Sequence, residues 1–144
     1  EELWKARRLA RLLEIWGVFP VHRSGTDRES VKRAEEVLAR GELLVMFPEG
    51  SRQYGDEVTE LMEGVAFLAA RTGVPIVPVG IFGSERSMPK GSVFPRPIGI
   101  TVSVGEPIEP EPREPGRRVN RSQVHHVTAT LKERLQAAYD DAAR

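Results

Sequence analysis

The sequence contains no cysteine. This excludes disulfides, zinc–thiolate sites and thiol nucleophiles, and is compatible with a reducing compartment. Charge of one sign is not in excess: 21 basic residues balance 21 acidic ones, so no global field advertises a nucleic-acid partner. No apolar run approaches the ~20 residues that span a bilayer. No internal repeat is present. There is no GxxxxGK followed by Ser or Thr, and no GxGxxG after a strand, which sets a nucleotide-binding α/β domain aside. Histidine is scarce, at three residues: His22, His125 and His126. The remainder is ordinary for a soluble globular domain, with 144 residues, 40% hydrophobic and 29% charged, long enough for one domain with a core.

Apolar spacing places helices and strands in alternation. Residues 2 to 16 carry Leu9, Leu12, Leu13 and Trp16 at helical spacing among basic residues. Val18 to Val21 reads as a short strand. Thr26 with Glu29 forms a capping-box pattern opening a helix from Asp27 to Arg40, with Val31, Ala34 and Leu38 as its stripe. Leu43 to Phe47 is a continuous apolar run, expected to be a strand covered on both faces. A helix is expected over 59–72, with Leu61, Val65, Leu68 and Ala69 inward and Gly73 as its stop. Strands are expected at Ile76 to Phe82 and Ile98 to Val104. Residues 105–118 hold four prolines and read as a stiff connector. A last helix, 121–143, carries Val124, Val127, Leu131, Leu135 and Ala138 on one face. The expected fold class is α/β, a mostly parallel sheet with helical crossovers. The expected organisation is one partial domain over 1–144: an α/β core at 1–104, the connector at 105–118 and the C-terminal helix at 119–144.

Ligands in such sheets bind beyond the carboxyl ends of the strands. The stretch "LLVMFPEGSRQ", residues 43–53, puts Glu49, Gly50, Ser51 and Arg52 there. Gly50 permits positive φ and close approach to a ligand. Ser51 offers a donor, Arg52 a planar fork suited to phosphate or carboxylate, and turn N–H groups converge on anions. Glu49 would repel phosphate; it suits hydrogen bonds from a substrate hydroxyl, from Arg52 or from loop N–H groups. A plain strand exit with solvated Glu and Arg is written in the same letters.

"FPEGSR" resembles the FPEGTR block of the glycerolipid acyltransferases, the family that includes 1-acylglycerol-3-phosphate acyltransferase. "GVFPVHR" (17–23) resembles the block whose arginine lies near substrate phosphate. "GVPIVPVGI" (73–81) resembles the family's VPIVPV strand. "KGSVFPRPIGITVSVGEPI" (90–108) resembles its lysine–glycine loop, strand and exit. The resemblance covers residues 1–108. It implies an acyltransferase-like fold and transfer of a fatty acyl group from an acyl thioester, on coenzyme A or acyl carrier protein, to the hydroxyl of a lysophospholipid such as lysophosphatidate. It implies no metal or other cofactor, and no nucleic-acid partner. It assigns substrate binding to Arg23, Glu49, Gly50, Ser51 and Arg52.

The family's catalytic motif is histidine, four residues, then aspartate, upstream of the arginine-bearing block. The histidine is a general base oriented by the aspartate. His22 and Asp27 satisfy that spacing, yet His22 lies inside "GVFPVHR" itself, and Asp27 suits the first turn of the helix that opens there. The pair is therefore set aside as a decoy, leaving the catalytic residues unassigned. His125 and His126 are expected on the surface of the last helix. The chain starts at Glu1, and "EELWK" resembles the segment just after the family's first strand and catalytic loop. The expectation is a chain lacking that first strand–loop unit. Met62 is a further departure, standing where the family usually has a phenylalanine–lysine pair.

A lipid product implies a peripheral place on the cytoplasmic side of a membrane, or anchorage by parts outside this chain. The apolar stripe of residues 2–16 suits either an interface or a core. Arg86, Lys90 and Arg96 form a basic loop, suited to donor phosphates, to lipid headgroups or to plain solvent. The alternative to an enzyme is a non-catalytic module binding anionic lipid or phosphate through the same turn.

Overall fold

The computed structural model describes residues 28–51, 53, 55–87, 89, 94, 96–111 and 118–144. The expected strand at 18–21, the helix at 2–16 and the cap at Thr26 lie outside the described residues. The chain forms two compact units, Glu1–Leu44 and Val45–Arg144.

In the first unit, α1 spans Arg28–Ala39. Ser30 and Ala34 are buried, Val31 and Leu38 half-buried, matching the expected stripe. The outer side carries Glu29–Arg33 and Lys32–Glu36 pairs at i,i+4 spacing. Gly41, at φ +74°, ends it.

The second unit is built around α4, Arg121–Ala142. Asn120 caps it, its side chain accepting from Ser122 N at 3.0 Å. Val124, Val127, Leu131, Ala138 and Ala142 are buried, while Leu135 is only half-buried. The N-terminal half of α4 packs Val124 and Val127 against Ala66 of α2, Gly64–Thr72, with Phe67, Ile76 and Val119 at the margin. Its C-terminal half lies on β1, Val79–Phe82. Gly80 is buried there; a Cβ on it would overlap the Ala138 carbonyl and Tyr139 N. β1 pairs antiparallel with β2, Thr101–Val104, in the register Val79↔Val104 to Phe82↔Thr101. The short helix α3, Ser84–Ser87, comes directly after β1.

The α/β class holds, with corrections in detail. The one ladder among the described residues is antiparallel, not parallel. Leu43 to Phe47 belongs to no ladder among them and is not covered on both faces: Leu43 is 86% exposed and Phe47 76%. An apolar run shows a tendency to be buried, but names neither the backbone that pairs with it nor the segment that covers it. The strand expected over Ile76–Phe82 is regular only from Val79. Pro75 and Pro78 have no N–H to give a ladder, so pairing before Val79 is reduced to the isolated antiparallel bridge Ile76↔Ile108. That bridge ties down the start of the Pro-rich connector, with Ile108 buried. The helix expected from residue 59 begins at Gly64. Met62 N donates instead to Pro48 O at 2.8 Å, closing a loop where a first helical turn was expected. Its inward residues are Ala66, Leu68, Ala69 and Ala70, with Leu61 and Val65 only half-buried.

Candidate functional site

The candidate site is a loop closed at its neck and held along its length. Gly50 N donates to Phe47 O at 3.2 Å, forming a tight turn over Pro48 and Glu49. The Met62 N to Pro48 O bond closes the loop over residues 48–62. Gly50 sits at φ +68°, and a Cβ there would stand 2.6 Å from Met62 Sδ. The expected need for glycine thus has two causes, the left-handed backbone and the Met62 side chain. The far side of the loop is fastened to α4. Gln136 accepts from Val58 N at 2.7 Å and donates to Asp56 O at 2.9 Å and to Asp140 Oδ1 at 2.8 Å. Tyr139 donates its hydroxyl to Asp56 Oδ1 at 3.3 Å, and its ring meets Phe82 edge-on at 5.8 Å.

Glu49 and Gly50 are half-buried at the start of this loop, and Ser51 is exposed. Burial pushes the Glu49 carboxyl above its ordinary value. Ser51 Oγ accepts from Gln53 Nε2 at 3.1 Å, and its hydroxyl proton has no acceptor among the described residues. The Tyr139 phenol is also held above its ordinary value, by desolvation first and then by the Asp56 carboxylate. Arg23, Arg52, His22 and Asp27 lie outside the described residues. The structure therefore brings together Glu49, Gly50 and Ser51 of the expected site.

His125 and His126 are exposed on α4. His125 Nδ1 lies 2.8 Å from Glu63 Oε1, linking the starts of α4 and α2. Glu63 precedes the first residue of α2 without capping it through its side chain. Among the described residues, no group of three His, Cys, Asp or Glu side chains is placed to hold a metal ion.

Sequence reasoning missed Gln136 and Tyr139, and singled out Met62 only as a departure from the family pattern, not for its packing against Gly50. Gln136, Tyr139 and Asp140 are helical neighbours at i, i+3 and i+4, so a polar stripe beside the apolar face of α4 was the available signal. Its target, Asp56, lies some 80 residues away and carries no mark of the pairing.

A sequence model of the Acyltransferase family matches residues 1–82. The chain is 33% identical over 82 residues to a chloroplastic 1-acyl-sn-glycerol-3-phosphate acyltransferase of Brassica napus, covering 56% of this chain and 24% of that protein. It is 36% identical over 81 residues to a 1-acyl-sn-glycerol-3-phosphate acyltransferase of Limnanthes douglasii, covering 56% and 29%. The chain thus spans less than a third of the length of these curated relatives. The crystal structure of the 1-acyl-sn-glycerophosphate acyltransferase PlsC from Thermotoga maritima superimposes with a TM-score of 0.60 at 24% identity, over 79% of this chain and 44% of that one. This likeness concerns the fold. No helix among the described residues is long and apolar enough to cross a membrane.

Proposed function

The chain belongs to the Acyltransferase family, and from that premise we propose that it supplies the acceptor-binding part of an enzyme of phospholipid synthesis. The reaction is transfer of a fatty acyl group from an acyl thioester, on coenzyme A or acyl carrier protein, to the free hydroxyl of a lysophospholipid such as 1-acylglycerol-3-phosphate. Relatives named for that acceptor support the reading. So does one structural observation: a glycine-dependent turn that presents a half-buried carboxylate and an exposed hydroxyl on a loop anchored to α4.

The roles come from the chemistry of each side chain. Arg52 and Arg23 provide cations for the acceptor phosphate, with Arg52 acting as a bidentate fork. Ser51 adds a hydroxyl donor. Glu49 accepts a hydrogen bond from a glycerol hydroxyl, an interaction favoured where partial burial has thinned its own hydration. Fixing the phosphate and glycerol orients the reacting hydroxyl, so binding energy goes into positioning. The thioester is a co-substrate. The place of work is peripheral, on the cytoplasmic side of a membrane.

The test is thiol release from an acyl thioester in the presence of lysophosphatidate, in parallel with direct lysophosphatidate binding. Binding accompanied by transfer, both requiring the phosphate, supports the enzyme reading. Binding without transfer moves the assignment to a phosphate- or anionic-lipid-binding module. Loss of both removes the proposed function.

A further inference from the structure

We propose that the cleft between α3 and the Arg96–Gly99 stretch is a second phosphate-binding subsite, which takes the phosphate groups of the acyl donor's carrier, coenzyme A. This rests on the reading of the protein as an acyl-thioester-using enzyme. The cleft is open, about 490 Å³, and lined by Glu85, Arg86, Pro89, Arg96, Ile98 and Gly99.

Three features make it a built cleft. Its neck is held where Arg96 N donates to Ser87 O at 2.7 Å and Ser87 Oγ donates back to Arg96 O at 3.0 Å. Its floor requires Gly83, at φ +89°, because a Cβ there would lie 2.8 Å from Gly99 O. Arg86 is set over the Phe82 ring at 5.0 Å from its centroid, which orders a side chain that would otherwise sample many rotamers. Of the charges facing the cleft, Glu85 stands 3.6 Å from Arg86 and offsets one cation. Among the described residues Arg96 has no acidic partner, so the lining keeps a net positive charge for an anion. Pro89 and Ile98 supply apolar wall of the kind a pantetheine chain or a base can lie on.

The position suits the donor. The cleft opens directly after the last residue of β1. Contacts run from it to the acceptor loop: Arg86 on Phe82, Phe82 on Tyr139, Tyr139 on Asp56. The acceptor's single phosphate already has a candidate cation in Arg52, the residue that follows Ser51 in the sequence. A separate basic cleft, joined to that loop by these contacts, matches a second phosphorylated substrate.

The experiment titrates coenzyme A, lysophosphatidate and phosphatidylglycerol vesicles separately into the chain and into Arg86→Gln, Arg96→Gln and Arg52→Ala, with circular dichroism to verify the fold. Each cleft variant is expected to bind coenzyme A about 10-fold more weakly, the effect of one charge-assisted contact, while lysophosphatidate affinity holds. Arg52→Ala is expected to show the converse. Coenzyme A binding unchanged in both cleft variants, or undetectable in the parent chain, overturns the subsite. So does an equal loss of lysophosphatidate binding in the cleft variants, which would make the cleft part of the acceptor site. Binding of vesicles with none of coenzyme A would assign it to a lipid headgroup and also overturn the proposal. If lysophosphatidate binds and coenzyme A does not, the subsite fails alone; if neither binds, the proposed function fails with it.

Discussion

At the residue scale, one glycine and one carboxylate define the turn. Gly50 combines a left-handed φ with a side chain packed where its Cβ would be, so the need for glycine was legible in the sequence while the Met62 contact was not. Glu49 carries a testable sign. Burial raises its carboxyl above the ordinary value, so the folded chain holds that proton more readily than the unfolded one. Below the ordinary carboxylate range both states are protonated and no penalty exists. As pH rises through that range the unfolded chain ionises first, and stability falls until the raised folded value is passed. Glu49→Gln is therefore expected to raise the denaturation midpoint at neutral pH and to leave it unchanged in acid; an equal shift at both pH values would show that ionisation is not the cause. His22 carries a second prediction. In a version of the protein that turns over, His22→Ala is expected to keep most of the rate. A loss approaching the 10²- to 10⁴-fold typical of a missing general base would make His22–Asp27 the catalytic pair after all.

At the element scale, α4 is the organiser of the second unit. Its apolar face covers α2 and β1, and its polar flank grips the 48–62 loop through Gln136 and Tyr139. The helix itself was legible, because apolar residues at 3.6 spacing over six turns have few other readings. Its role as clamp was not, because side-chain pairing across some 80 residues leaves no local pattern. Strand length was also poorly legible: Pro75 and Pro78 stand in a run that is apolar throughout, and only the missing N–H groups show where pairing must lapse. The tightest joint is Gly80 against the Ala138–Tyr139 backbone. Gly80→Ala places a methyl group on a backbone that cannot rotate away. It is expected to cost about 1–3 kcal/mol, the usual range for overpacking, read by urea denaturation. A cost near zero would mean that α4 does not seat on β1 as described.

At the scale of the whole molecule, two features set its behaviour. Val79, Ile81, Val102 and Val104 share the sheet face turned away from α4, and all four are exposed. Apolar faces of this kind drive association. Sedimentation velocity on the 144-residue chain is expected to show concentration-dependent association, relieved by Val102→Lys; a monomer at all concentrations would contradict it. The other feature is the acceptor turn on its clamped loop, the structural basis for the chain's proposed part in acyl transfer. Calorimetric titration of lysophosphatidate, with phosphate-free monoacylglycerol as control, tests it most directly. The account predicts that the chain binds the phosphorylated acceptor and not the control. It predicts that Arg52→Ala weakens this by about 10- to 150-fold, the 1.5–3 kcal/mol range of a charge-assisted hydrogen bond, and that Arg52→Lys recovers only part of it. Equal affinity for both ligands, or unchanged affinity in both variants, would contradict it.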